Sequence, residues 1–463
     1  MMNHRGTETQ RIHGEKPAKE ASFCSSPAFL RVSVPLWFLL LCSSCPADAQ
    51  GGPKPLTMEE SVAVALRQSP QARAARFARE AAQVQADREK PVARPTLNAV
   101  AAGMVQGPRV TFPHPNAPDA VVLPEQYGKL ELVVEQPLYR PGLGAARQRY
   151  AAQSSLVALD YRKVLSDLAL AARKAYLDVL RAESGARTAR EGLEAAQRYQ
   201  ALVQRQIAAG LAKPVDAETA AAQVAEAQAG VTQAEGGLTL ARLAFNRTLG
   251  RPLAAPVVLE PIAALPIVPE NPEAAIAAAL EHRPEIESLE QNLRAARAGV
   301  SLARAQSQPA LSVRGQVTEQ TPSAFVHEHY AAATLELRWP ILDAGKARLD
   351  TREAQAQAQR LEALLEDTRQ AISLDVMQAW QKMREARDRI TLTQTQVRGA
   401  DATATVAEKA YEVGRGTAIE VQAAQRELRA ARERELQATY DLHGAAADFA
   451  YAQGAALPEG GGR

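Results

Sequence analysis

Apolar residues recur mostly at intervals of three, four and seven between Gly142 and Ala209, as in Leu143, Tyr150, Val157, Val164, Leu168, Ala172, Leu177 and Leu180. That spacing places them on one stripe of an α-helix, and no proline interrupts the run. The pattern predicts a helix over 142–209, roughly 100 Å long at about 1.5 Å per residue. Ordinary globular helices stop far sooner, so a structure of similar height has to stand beside it.

A second pattern has period two. Leu311, Val313, Gly315 and Val317 alternate with Ser312, Arg314, Gln316 and Thr318, and Ala333, Leu335, Leu337 and Trp339 alternate with Thr334, Glu336 and Arg338. Weaker versions run from Leu97 to Val105 and from Leu130 to Glu135. The alternation predicts strands near 96–106, 127–137, 310–318 and 330–340. Two fates are open to them: a small sheet lying over helices, or a membrane barrel, whose strands need about 9–11 residues with alternating lipid-facing and lumen-facing side chains. Four strands cannot close a barrel, because lipid tolerates no open edge; three copies of the chain would supply twelve. The connections Gly107–Gln126 and Glu319–Glu328 are polar, as outward loops would be.

The chain repeats itself. Pro70 within SVAVALRQSPQARAA matches Pro284 within AIAAALEHRPEIESL, and Pro95-Thr96-Leu97 returns as Pro309-Ala310-Leu311 at the same offset. Ala175-Tyr176 answers Ala379-Trp380, Gly210 answers Gly414, and Phe245–Gly250 answers Phe449–Gly454, all at a second common offset. The sequence therefore predicts a first repeat over 50–250 and a second over 273–454, joined by a proline-dense linker, 251–272, with a tail at 455–463. Each repeat reads as helix, strand, strand, long helix, helix. The long helices lie at 142–209 and 344–413, and the helices after them at 215–249 and 418–453. In the first repeat the shorter helices sum to about 59 residues against about 67 in the long one, so two stacked end to end would line it. The fold class expected is mostly α with a membrane β-barrel contribution.

Composition narrows the function. The 463 residues carry a formal net charge of +2, which offers no nucleic-acid surface. Cys24, Cys42 and Cys45 all lie near the N-terminus, so the rest of the chain has no disulfide framework or thiolate metal site. Residues 1–49 read as a targeting segment: Arg31 precedes VSVPLWFLLLCSSC, and Ala47-Asp48-Ala49 resembles a cleavage site. Lipid modification at Cys42 or Cys45 is the rival reading. No nucleophile–base arrangement or phosphate-cradling loop appears, the histidines are scattered, and His327-Glu328-His329 reads as surface loop. Neither an enzyme activity nor a cofactor is expected.

Taken together, Leu56–Val62, the two Pro-(Thr/Ala)-Leu strand starts, Val413–Val421 and the closing Ala445–Gly454 resemble the TolC-type outer-membrane factors over most of the chain. The resemblance implies a homotrimer with a twelve-stranded outer-membrane barrel on a periplasmic α-helical barrel. Such a trimer is a passive exit duct, extending from the outer-membrane lipid into the periplasm and joined to an inner-membrane pump or secretion transporter by a periplasmic adaptor. It also implies a periplasmic gate at the turns after the long helices. Glu420 matches an acidic ring position there, whereas the second ring position is Ala423. Tyr411 and Asp216 match a pair that hydrogen-bonds between neighbouring tips. The arginine assisting that latch in some members corresponds to Gly416, with Arg415 one residue away. Gly210, Leu211, Gly414 and Thr417 match the adaptor-contact surface. As isolated acids, Asp216 and Glu420 also read as helix caps, and Gly210 and Gly414 as helix stops. The alternative function is a periplasmic structural coiled-coil or adaptor protein without a membrane barrel. Cargo is not legible.

Overall fold

The structure is a computed structural model, and it describes residues 55–90, 94–262, 264–321, 327–455 and 457. The readings of the targeting segment and its cysteines lie outside the described residues. The first half contains α1 (Met58–Gln68), α2 (Pro70–Glu89), β1 (Thr96–Val105), β2 (Val110–Phe112), β3 (Ala120–Leu123), β4 (Gln126–Tyr139), α3 (Leu143–Ala208) and α4 (Pro214–Leu249). The second contains α5 (Glu273–His282), α6 (Pro284–Ala305), β5 (Ala310–Gln320), β6 (His329–Arg338), α7 (Lys346–Glu412) and α8 (Ala418–Ala452).

Local chemistry sets the helix boundaries. Thr57 and Glu60 form a reciprocal capping box at α1: Glu60 N–H donates to Thr57 Oγ1 (3.1 Å) and Thr57 N–H to Glu60 Oε2 (3.0 Å). Pro70 and Pro284 each occupy the first position of the next helix, where a missing N–H costs nothing. At α5 the Asn271 side chain accepts the Glu273 N–H.

The two long helices have 66 and 67 residues, and each is lined by shorter ones. Far from the sheet, each pairs with the helix that follows it. The buried residues of α7 include Ile372, Val376, Ala379, Met383, Ala386, Ile390 and Thr393, spaced alternately four and three. On α8 the seam is Val421, Ala424, Ala431, Ala438, Leu442 and Phe449. This is a heptad pattern, which winds two helices into a left-handed pair. Many of these residues are alanine, which brings the two backbones close.

Nearer the sheet the burial stripe of α3 departs from the one read in sequence. Leu168, Ala172, Leu177 and Leu180 are buried, but Val164 is exposed, and the buried residues before Leu168 are Ala152, Leu159 and Leu165. The reason is the set of neighbours. This half of α3 packs against α2 and α6 as well as α4, so its covered side is rotated.

Tyr176 and Trp380, equivalent by the repeat, fix the surrounding chain to the long helices. The fully buried Tyr176 hydroxyl lies 2.6 Å from the Glu260 carbonyl and 3.1 Å from that of Leu56. Burial first, then the Glu260 charge, pushes its pKa up to about 12. The Trp380 indole N–H donates to the Pro269 carbonyl at 2.8 Å. Leu56 and Leu259 meet in a parallel bridge beside Tyr176.

The strands form one antiparallel sheet in the order β1-β4-β5-β6, so a strand pair from each half meets at β4–β5. The connection between β1 and β4, read in sequence as a polar loop, carries a two-stranded ribbon of β2 and β3.

Candidate functional site

The sheet is apolar on its open side. On β4, Leu130, Leu132 and Val134 are exposed, with Leu132 at 45%, while Tyr127, Lys129, Glu131, Val133 and Glu135 between them are partly covered. Register aligns the outward apolar residues of β4 with those of the other three strands, although β1 is exposed on both faces. Leu132 stands beside Ala99 and Val317, and Val317 beside Ala331; the next row is Leu97, Val134, Gly315 and Ala333. On the opposite face Thr96, Glu135, Arg314 and Thr334 stand in register, as do Val100, Glu131, Thr318 and Tyr330. There Lys129 pairs with Glu131 at 2.7 Å, Arg314 with Glu135 at 3.4 Å, and the Tyr127 hydroxyl donates to Gln320 Oε1 at 2.8 Å.

A sheet in water hides its apolar face; this one presents it and pairs several of its polar groups on the other, where the buried Thr318 hydroxyl has no partner among the described residues. The apolar rows stop at Glu319 and His329 toward the outward connections, and at Tyr139 and Trp339 toward the helices. From Ala331 to Trp339 is roughly 26 Å along the strand at about 3.3 Å per residue. Barrels that face lipid carry an apolar band about 25 Å tall with aromatic residues at its borders.

The second site lies at the far ends of the long helices. α3 and α7 both end on a glycine of positive φ, Gly210 at 73° and Gly414 at 74°. Each glycine N–H returns to the third residue before it, and the next N–H to the fifth, so the last carbonyls are capped: Leu211 N–H to Gln206 O at 2.9 Å, Arg415 N–H to Ala410 O at 2.8 Å. The returning helices start on equivalent acids. Asp216 Oδ2 accepts the Lys213 N–H (3.0 Å), and Glu420 Oε2 accepts the Thr417 N–H (2.8 Å), answered by Glu420 N–H to Thr417 Oγ1.

All four helices meet just inside these turns in a small core of Tyr199, Val203, Ala220, Tyr411 and Val421. The rings of Tyr199 and Tyr411 lie 5.9 Å apart at 45°. Tyr411 is 6% exposed, and its hydroxyl is buried without a hydrogen-bond partner. Burial, then the negative charge of Asp216, raises its pKa. Burial, then Tyr411, then Asp216, raises that of Tyr199. Asp216 and Tyr411 thus sit within electrostatic reach, but within one chain no hydrogen bond joins them. The Gln206 amide donates to the Glu412 carbonyl at 2.8 Å and ties the two tips together.

Gly210, Leu211, Gly414 and Thr417 are exposed, and so are Val215, Val413 and Ile419 beside them. The sequence reading did not propose those three apolar residues as contacts, nor did it single out Tyr199 or Gln206. Their signal was weak: an apolar residue in a turn looks the same whether it is covered or not. Gly416 has a steric role. A Cβ there would lie 2.9 Å from the Tyr411 backbone nitrogen and 3.1 Å from the Ala410 carbonyl carbon, so this turn admits no side chain at that position. Among the described residues no cluster of His, Cys, Asp or Glu could hold a metal ion, and no helix is long and apolar enough to cross a membrane.

An inside-out antiparallel sheet at one end of paired helices this long defines the outer-membrane factor fold. The model of the outer membrane efflux protein family matches residues 62–251 and again 275–455. The chain belongs to that family. It is 32% identical over 257 residues to Protein CyaE of Bordetella pertussis, and the match covers 54% of each chain, so it spans about half the length of that relative. Among solved structures, the outer membrane protein VceC from Vibrio cholerae shares the fold with a TM-score of 0.72 at 17% identity, over 86% of this chain and 96% of VceC. CusC shares it with a TM-score of 0.71 at 20% identity, over 86% of this chain and 92% of CusC.

Proposed function

We propose that the protein is the outer-membrane channel of a tripartite efflux or type I secretion system, a passive trimeric duct across periplasm and outer membrane. The observation that carries this reading is the sheet, with its apolar face outward and with β1 and β6 unpaired at its edges. Unpaired edges are not tolerated in lipid. Pairing β6 of one copy with β1 of the next removes them, and three copies close a twelve-stranded barrel around the polar face. The long helices then form the periplasmic wall, and residues 1–49 serve as the export signal. As a passive duct it takes its driving force from an inner-membrane pump through a periplasmic adaptor.

In this reading the tips are the entrance. Three copies of Glu420 form a ring that attracts cations, made sparser by the uncharged Ala423. Tyr411 and Asp216 act as the latch: the buried Tyr411 hydroxyl lacks a partner within its own chain, and an acceptor from an adjoining copy would complete it. The steric constraint at Gly416 supports a latch without a flanking arginine. Gly210, Leu211, Gly414 and Thr417, joined by the exposed Val215, Val413 and Ile419, offer the adaptor a partly apolar face.

Extraction tests the assignment. Cell envelopes should release the protein only with detergent, as an oligomer that survives in unheated gel samples and collapses to one chain on boiling. Recovery as a soluble species in periplasmic extracts would overturn the reading in favour of a periplasmic coiled-coil protein.

A further inference from the structure

The two halves differ where the sheet meets the helices. Gly142, at the start of α3, presses on α6; a Cβ there would lie 2.9 Å from the Ala305 side chain and 3.1 Å from that of Leu302. Gly345 holds the equivalent place at the start of α7, where no described residue of its own chain would meet an added Cβ. Beside it lies a cavity of about 450 Å³ between the ends of α6 and β6 and the first turn of α7. Its wall includes Arg304, Ser307, Trp339, Ile341, Asp343 and Arg348.

The charges in this cavity are unbalanced. Neither the Arg304 nor the Arg348 side chain has an ion-pair or hydrogen-bond partner among the described residues. Asp343 is occupied elsewhere: its two oxygens accept the N–H groups of Gly345 (2.9 Å) and Ala347 (2.8 Å), fixing the start of α7. Directly above, Leu335, Leu337, Trp339 and Ile341 continue the outward apolar row with period two. All four are exposed, Ile341 at 82%. The cavity is therefore cationic at its base and apolar along its upper wall, with an indole at the border.

We propose that this cavity seats the headgroup of an anionic phospholipid from the leaflet nearest the helices. The phosphate lies between Arg304 and Arg348, and the acyl chains run up the row of Leu337 and Leu335. Guanidinium groups match phosphate oxygens in pairs, and basic pockets at membrane borders recognise anionic headgroups. Trp339 occupies the interfacial level that indoles favour. The lining residues all belong to the second half of the chain, so each protomer carries one such site. The inference rests on the reading of the sheet as membrane-spanning.

The test uses the full-length oligomer purified in detergent, with native mass spectrometry after addition of phosphatidylglycerol or phosphatidylcholine. Phosphatidylglycerol should be retained about tenfold more strongly, up to one molecule per protomer. The double variant Arg304→Gln/Arg348→Gln should lose that preference and remain a heat-modifiable oligomer. Trp339 fluorescence should shift on adding phosphatidylglycerol and stay unchanged with inorganic phosphate. Equal retention of the two lipids by an intact wild-type oligomer overturns the headgroup site alone, as does equal phosphatidylglycerol retention by wild type and variant. A fluorescence response to inorganic phosphate matching that to the lipid would assign the site to a free anion and overturn it too. If the protein forms no membrane-embedded oligomer at all, the reading of the sheet falls first and takes the site with it.

Discussion

The sheet and the helical tips are built from similar residue types sorted in opposite directions. At the tips, Tyr199, Val203, Tyr411 and Val421 turn inward, and the carboxylates of Asp216 and Glu420 stay at the surface on their own helix starts. In the sheet, Leu132 and Val134 turn outward, while Thr318, at 0% exposure, and the Lys129–Glu131 pair turn inward. Burial alone therefore says little about which face a protein is built around; the surrounding medium decides which arrangement is stable. In the helical region water drives the apolar seam together. In the sheet the same force is satisfied by lipid, and the polar face needs internal partners instead.

The sharpest way to break this contrast is to put a charge on the outward face. Leu335→Arg should cost about 2–4 kcal/mol near the middle of the apolar band and remove the heat-resistant oligomer from unheated gels. The same change in a water-facing sheet would be nearly silent, so an unchanged oligomer would refute a lipid-facing Leu335. Next comes the seam: Ile390→Ala should cost about 2–4 kcal/mol by leaving a cavity between α7 and α8. The loss should appear as a lower midpoint of the helical circular-dichroism signal in denaturant. Third, Gly416→Ala forces a Cβ onto the Tyr411 backbone and should cost about 1–3 kcal/mol, read as faster proteolysis at the tip.

Smaller effects sharpen the tip side of the comparison. Thr417→Ala removes one half of the α8 capping box and should cost about 1 kcal/mol, measurable as earlier hydrogen exchange in the first turn of α8. Glu420→Gln keeps the cap, because an amide oxygen can still accept the Thr417 N–H, but removes the charge. It should lower cation preference in planar bilayers at unchanged stability; undiminished selectivity would take Glu420 out of the ring. Tyr411→Phe deletes a hydroxyl that has no partner within its chain, so it should leave stability unchanged or slightly raised. If that hydroxyl latches an adjoining copy, single-channel conductance rises as well, and constant conductance in both Tyr411→Phe and Asp216→Ala would sink the latch.

The mostly helical class with added strands was legible because its signals are long or periodic: a proline-free run after Gly142, and unbroken alternation in Leu311–Thr318. What stayed hidden depends on neighbours. The proximal stripe of α3 was misread because Val157 and Val164 keep the helical period while α2 and α6 cover a different side. The β2–β3 ribbon was missed because Val110–Phe112 and Ala120–Leu123 are too short to show a period among prolines. At the tips, the helix-stopping glycines and capping acids are local and could be seen in sequence. The tilted ring contact of Tyr199 with Tyr411 and the Gln206–Glu412 tie join residues far apart in the chain. The crowding of Gly416 against Tyr411 and Ala410 is local, but it is a turn geometry that no spacing rule encodes.

The central pairing of the sheet also sets an order of events. Tyr127 and Gln320, which meet across β4 and β5, are 193 residues apart in sequence. Each half can make its own hairpin, but a continuous apolar surface four strands wide exists only when the second half has followed the first. A chain still being delivered thus presents two separate hairpins, not the four-strand face. Sequence distance between β4 and β5 works as a delay, keeping that face unassembled until the second half has followed the first.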